Sequence, residues 1–235
     1  MRPRLDILPP EQRRLWPELS QVAEQFVLYG GTAIALRLGG RQSVDFDFFA
    51  QQPVSADVLA RSLPFLQGAQ LIQSEPNTAT FTVHREGEIK VSFFGGLTIG
   101  RVGKPDRCED NQVYIASLLD LAAQKMKVIL VRAEAKDYSD IHALLKAGIT
   151  LSEALGAAQA LYPEFNPALS LKALAYYGEP TLATVPIGVR EFLTEESAKV
   201  DSIETITKMA SSITPSDQIR IRNTRGQTRG NGIGI

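Results

Sequence analysis

The chain has 235 residues, enough for one large domain or two small ones with a real core. Its 44% hydrophobic and 22% charged residues are ordinary for a soluble globular protein, and a net charge of −1 gives no global case for nucleic-acid binding. Cys108 is the only cysteine, which excludes an internal disulfide; no apolar run reaches membrane length and Met1-Arg2-Pro3-Arg4 opens no signal-peptide core, so a cytoplasmic location and no membrane partner are expected.

After Pro9-Pro10, residues 11–25 have the spacing of a helix that turns Leu15, Leu19 and Val22 inward, with Trp16 as a core residue. Phe26-Val27-Leu28-Tyr29 is a continuous apolar run of the kind a buried strand shows. Gly30-Gly31 then permits a tight turn and a close approach by another group. Thr32 has the chemistry of an N-cap for a short helix over 33–38, which Gly39-Gly40 ends. A second strand follows over 44–49. Its period of two sets Asp45 and Asp47 on one face and Phe46 and Phe48 on the other.

Two carboxylates about 7 Å apart on one strand face can share a hard cation such as Mg²⁺, which takes oxygen ligands and keeps waters that phosphate oxygens replace. Free amides around Gly31 and Thr32, at a helix N-terminus, would cradle those phosphates, with the Thr32 hydroxyl as an added donor. Either half alone is as readily a glycine turn or a strand with acids facing water; the two within about twenty residues suggest a nucleoside-triphosphate site.

The stretch resembles the opening motif of the DNA polymerase β-type nucleotidyltransferase superfamily, and most of all its AbiEii/AbiGii toxin-type branch with the MenT-like toxins. Gly30, Gly31, Thr32 and Ala33, then Arg41, Ser43, Asp45 and Asp47, stand in that motif's order. The resemblance implies an α/β (α+β) nucleotidyltransferase-fold mixed sheet with flanking helices, followed by a C-terminal helical domain. It implies Mg²⁺ on Asp45 and Asp47, an NTP substrate held at Gly30, Gly31, Thr32, Arg41 and Ser43, an acceptor such as RNA or a tRNA end, and an antitoxin partner.

Downstream, Ser55 can cap a helix reaching about residue 63, and strands are expected over 69–74, 78–84 and 89–94. The superfamily often carries a third acidic residue on the last of these strands, as Lys-Val-Asp. Here the run is Lys90-Val91-Ser92, and a hydroxyl is a weak metal ligand and a poor base at neutral pH. Residues 95–111 read as loop and turns, and Cys108 within it has no histidine beside it to make it a nucleophile.

Ser117 caps a long helix from 118 to about 132, which can continue to 146, with Gly148 as the stop. Lys125 and Arg132, seven residues apart, lie within about 20° of each other on such a helix. They share its apolar side, whereas Asp120, Lys127 and Glu134 fall opposite. Cations on an apolar face need an anion, either an internal carboxylate such as Asp140 or the phosphates and acids of the site. Toxin-type members resemble this chain here too, with Lys125, Arg132, Lys136, Asp137 and Asp140 in their order. That likeness implies charge neutralisation by Lys125 and Arg132, with Asp137 or Asp140 as the base that Ser92 cannot be.

Helices are expected over about 150–162, from 167, and over 189–211, then a disordered tail from 213 to 235 with Arg220, Arg222, Arg225 and Arg229. The expected organisation is a nucleotidyltransferase-fold domain over 1–112, a helical domain over 113–212 and the tail. The expected activity is Mg-dependent nucleotidyl or related phosphoryl transfer from an NTP; the resemblance implies RNA or tRNA as acceptor and a toxin–antitoxin or phage-defence setting. The alternative is a catalytically silent nucleotide- or partner-binding domain of the same fold.

Overall fold

The structure, a computed structural model, describes residues 1–22 and 24–215. The chain opens with helix α1 (Pro10–Leu15), then turns into a 3-10 segment (Trp16–Gln21) in place of one long helix. Pro17 accounts for the change, since it has no N–H to continue the α ladder. Leu15, Trp16 and Leu19 are buried, the Trp16 ring 6.1 Å from that of Phe46.

Strand β1 (Val27–Tyr29) is wholly buried and runs straight into helix α2 (Gly30–Leu38), which Gly39 ends at φ 77°. Strand β2 (Asp45–Phe49) returns antiparallel to β1, with Phe46 and Phe48 fully buried and Asp45, Asp47 and Phe49 on the opposite face. Helix α3 (Ala56–Ser62) leads to the meander β3 (Gln70–Glu75), β4 (Thr78–His84) and β5 (Glu88–Phe94). β5 pairs in parallel with β2 and extends the sheet beneath the acidic face. Two-residue strands β6 (Asp106–Arg107) and β7 (Tyr114–Ile115) complete a mixed sheet of order β3-β4-β5-β2-β1-β7-β6. Both lie too short for periodicity to reveal. The Arg37 guanidinium fastens α2 to this end by donating to the Ile115 and Ala116 carbonyls.

Helix α4 (Leu118–Val128) begins at Ser117, whose hydroxyl accepts from the Asp120 amide, and stops at Val128 rather than near 132. No glycine or proline marks that stop. The β-branched residues Val128, Ile129 and Val131 weaken the helix there, and the chain turns before α5 (Ala135–Lys146). Then come α6 (Leu151–Leu161), closed by a Thr150–Glu153 capping box, α7 (Pro167–Leu174) and α8 (Ile187–Ala198). The last helix ends well before 211. Residues 199–215 instead run irregularly along α6 and back to the loop at Arg101, where Ala210 forms a bridge. Ile213 and Thr214, expected as tail, are buried; 216–235, with the four tail arginines, lie outside the described residues. One hydrophobic cluster spans the sheet, α2, α4, α5, α6 and this strap.

Candidate active site

A cavity of about 530 Å³ opens between the start of α2, the polar face of β2 and β5, and the end of α4. Gly30, Gly31, Arg41, Ser43, Asp45, Asp47, Lys125 and Arg132 all line it. The glycines are there for space. Gly30 has φ 75°, and a Cβ on it would lie 2.6 Å from Asp47 Oδ2; one on Gly31 would lie 2.5 Å from Arg41 Nη2 and 2.8 Å from Ser43 Oγ. Thr32 is different. It is fully buried, sits inside the first turn of α2 rather than capping it, and its hydroxyl donates to the Asp45 carbonyl. It pins α2 to β2 and its hydroxyl is not left for a phosphate, because the helix starts three residues earlier than its cap chemistry suggested.

Asp47 is the electrostatically stressed group. Burial, then the neighbouring Asp45 charge, push its carboxyl up to about 6, against the pull of Lys90, Lys125 and Arg132. Two hard carboxylates with an unrelieved repulsion are a fitting donor set for Mg²⁺, which needs one or two acids and fills its shell with water and phosphate oxygens. Among the described residues no group of three or more His, Cys, Asp or Glu is placed to hold a metal, so such an ion would rest on this pair alone.

Lys125 lies buried at the cavity wall, its Nζ 2.6 Å from Asp137 Oδ1 and 2.8 Å from Asp140 Oδ2. Asp140 also accepts both arms of Arg41, at 2.8 and 2.6 Å. Asp137 accepts from Arg132 Nε at 3.2 Å. Burial alone would raise the Asp137 carboxyl, but Lys125 and Arg132 outweigh it and hold it below its usual value. Neither Asp137 nor Asp140 lines the cavity. The structure gives both a different set of partners from a substrate hydroxyl. Both are engaged in ion pairs behind the wall, where they aim Lys125, Arg132 and Arg41.

Lys127 and Asp120 are corrected as well. Lys127 lines the cavity, since the cavity wraps the last turn of α4 and residues on adjoining faces reach it. Asp120 is buried, accepting from the Val102 and Gly103 amides. Sequence reasoning also passed over Gln124, whose Oε1 accepts from the Gly30 amide at 3.3 Å, and the Lys90, Thr80 and Gln73 lining. Period-two parity on β4 and β5 was the available signal for Lys90 and Thr80. Cys108 is buried and its thiol pushed up to about 12, no nucleophile. Among the described residues no helix is long and apolar enough to cross a membrane.

A mixed sheet carrying a glycine turn, two acids on the next strand and cations from a distant helix defines a nucleotidyltransferase-fold protein. The fold recurs in a solved structure. An H. pylori protein assigned as a nucleotidyltransferase superposes with a TM-score of 0.51 at 17% identity, over 80% of this chain and 90% of its own. An antigenic nucleotidyltransferase-like protein from Paracoccidioides brasiliensis gives 0.49 at 15%, over 80% and 94%. The sequence profile described as "Nucleotidyl transferase AbiEii toxin, Type IV TA system" matches residues 14–219, and the chain belongs to that family. It is also 30% identical over 159 residues to an uncharacterized protein of Aquifex aeolicus strain VF5, covering 66% of this chain and 75% of that one. Family and fold together support nucleotidyl transfer as the class of activity.

Proposed function

We propose that the protein transfers a nucleotidyl group from an NTP to an acceptor hydroxyl with Mg²⁺ held by Asp45 and Asp47. The observation that carries this is the meeting of the Gly30-Gly31 turn, both acids, Lys125 of α4 and Arg132 just past its end at one cavity. Bound there, Mg²⁺ would supply Lewis-acid charge for the phosphoryl oxygens. Beyond Gly30, whose amide donates to Gln124, amides of the first turn of α2 lack intrahelical acceptors and orient the phosphates. Lys125 and Arg132 supply positive charge where the transferred group becomes more negative, and their ion pairs to Asp137 and Asp140 keep them aimed without rearrangement. Arg41 and Ser43 flank Gly31 and close the other side of the cradle.

The resemblance to toxin-type members makes RNA, notably a tRNA end, the acceptor in this reading, and the family's description as a toxin of a type IV TA system makes an antitoxin its partner. The cavity lining is suited to a polyanion, with Lys127 and Lys136 beside Arg132. Labelled NTPs offered with total RNA test this: label should move to RNA, and Asp45→Ala and Asp47→Ala should abolish the transfer. A second reading has a specific observation behind it. Ser92, registered opposite Asp47, is neutral, which suits a silent nucleotide binder. Calorimetric binding of Mg-NTP with no transfer to RNA, protein or small acceptors would favour it.

A further inference from the structure

We infer that this site takes one divalent cation and not a pair, with the Lys90 ammonium standing as its second positive charge. The inference rests on the nucleotidyl-transfer reading above and concerns how the site balances charge.

The parallel register of β2 and β5 sets Asp45 beside Lys90 and Asp47 beside Ser92 on one face. Lys90 Nζ lies 3.7 Å from Asp45 Oδ2, and both side chains line the cavity. Two-metal phosphoryl-transfer sites hold ions about 3.5–4 Å apart, and before a nucleotide arrives only the protein's own carboxylates can offset their four positive charges. This face supplies two negative charges, and Lys90 already offsets one. The next position is closed to a metal too. Ser92 is buried and neutral, its hydroxyl 3.3 Å from that of Thr80, which in turn lies 3.5 Å from the Gln73 amide oxygen. A neutral polar wall therefore runs outward from Asp47 across β5, β4 and β3. Carboxylates that could help, Asp137 and Asp140, are consumed by Lys125 behind the lining. One dication leaves the cluster of Asp45, Asp47 and Lys90 at a net charge near +1; a second would meet the ammonium head on.

Mn²⁺ read by electron paramagnetic resonance on the full chain tests this, with and without the α,β-methylene analogues of the four NTPs. The native protein should bind one Mn²⁺ per chain with the spectrum of an isolated ion. Lys90→Ala should tighten Mn²⁺ binding about threefold to fivefold, the size expected of a half-exposed charge neighbour. Lys90→Ala with Ser92→Asp should gain a second Mn²⁺, spin-coupled to the first. A coupled pair in the native protein overturns the inference alone, as does unchanged or weaker binding in Lys90→Ala, or a folded double variant that still takes one ion. If burying an aspartate at 92 prevents folding, the native and Lys90→Ala measurements decide. Absence of any protein-bound Mn²⁺ overturns the metal-dependent reading itself, and this inference with it.

Discussion

Asp47 shows how a side chain suited to chemistry works against the fold that carries it. Its carboxyl is raised to about 6 by burial and by Asp45, whereas in the unfolded chain it would titrate near 3.8. Between those values the folded state holds the proton more tightly than the unfolded state. Stability therefore falls as pH rises through that window and stays at the lower level above it. A shift of about two units corresponds to at most about 3 kcal/mol. Asp47→Asn is accordingly expected to stabilise the metal-free protein by about 1–3 kcal/mol at pH 7.5, with no gain below pH 4, while abolishing transfer. Urea unfolding at the two pH values measures this. Addition of Mg²⁺ should narrow the difference by stabilising the native chain only; an Asn variant no more stable at pH 7.5 would refute the stress assigned to Asp47. Asp140 is the opposite case. It accepts from Arg41 and Lys125 together, and Lys125 is only 4% exposed. Asp140→Ala leaves that ammonium with Asp137 alone. Removal of one partner from a buried pair costs about 3–5 kcal/mol, and the lower end is expected because Arg41 can swing toward water. Asp140→Asn, which keeps the shape, should recover part of the stability but little of the transfer rate, since Arg41 and Lys125 lose their aim.

At the scale of the element, the β1–α2 junction separates space from strain. Alanine at 31 meets the far end of Arg41 and the Ser43 hydroxyl, both side chains that yield, and alanine favours a helix by up to about 1 kcal/mol over glycine. Alanine at 30 meets Asp47 and must also hold φ 75°, a conformation that costs an L-residue about 1–2 kcal/mol. Gly31→Ala is expected to melt within a few degrees of the native protein yet bind Mg-NTP at least tenfold more weakly. Gly30→Ala should lose both stability and binding. Melting curves with calorimetry distinguish them, and equal stability losses would mean that no strain resides at 30. This junction was readable from sequence because its signals are local: an apolar run, two glycines and a period-two strand. The end of α4 was not. Its stop depends on β-branched residues that only weaken a helix, and the angle that set Lys127 opposite Lys125 could not show that the cavity wraps the last turn of α4. Asp140 was offered by the sequence as an internal partner for Lys125 and is one, but the choice between that and a place facing the cavity, for it and for Asp137, depends on packing between α4, α5 and α2. Lys90's place beside Asp45 needed the β2–β5 register, a pairing of residues 45 apart in the chain.

Across the whole molecule, the strap over 199–215 links the helical region to the loop that orients α4. Ser152 donates to the Ser202 carbonyl and accepts from the Glu204 amide, and farther on the Met209 amide donates to the Arg101 carbonyl. Beyond Arg101, the Val102 and Gly103 amides hold Asp120 in the first turn of α4, whose last turn borders the cavity. Gly156 permits the strap to lie so close: a Cβ there would stand only 1.9 Å from the Glu204 backbone oxygen, so the strap or α6 would have to move. In an isolated helix, alanine for glycine stabilises by up to about 1 kcal/mol; overpacking against backbone costs about 1–3 kcal/mol. The second effect wins here, because neither α6 nor a backbone carbonyl can yield as a long side chain would. Gly156→Ala is expected to lower stability by about 1–2 kcal/mol and to expose the strap to proteolysis between 199 and 209 before the rest of the chain is cut. Mg-NTP binding should weaken less than in Gly31→Ala, since the effect reaches the cavity only through Arg101, Asp120 and the length of α4. If the variant is instead as stable and as protease-resistant as the native protein, the strap is not held against α6 at Gly156, and the route from helical region to active site fails with it.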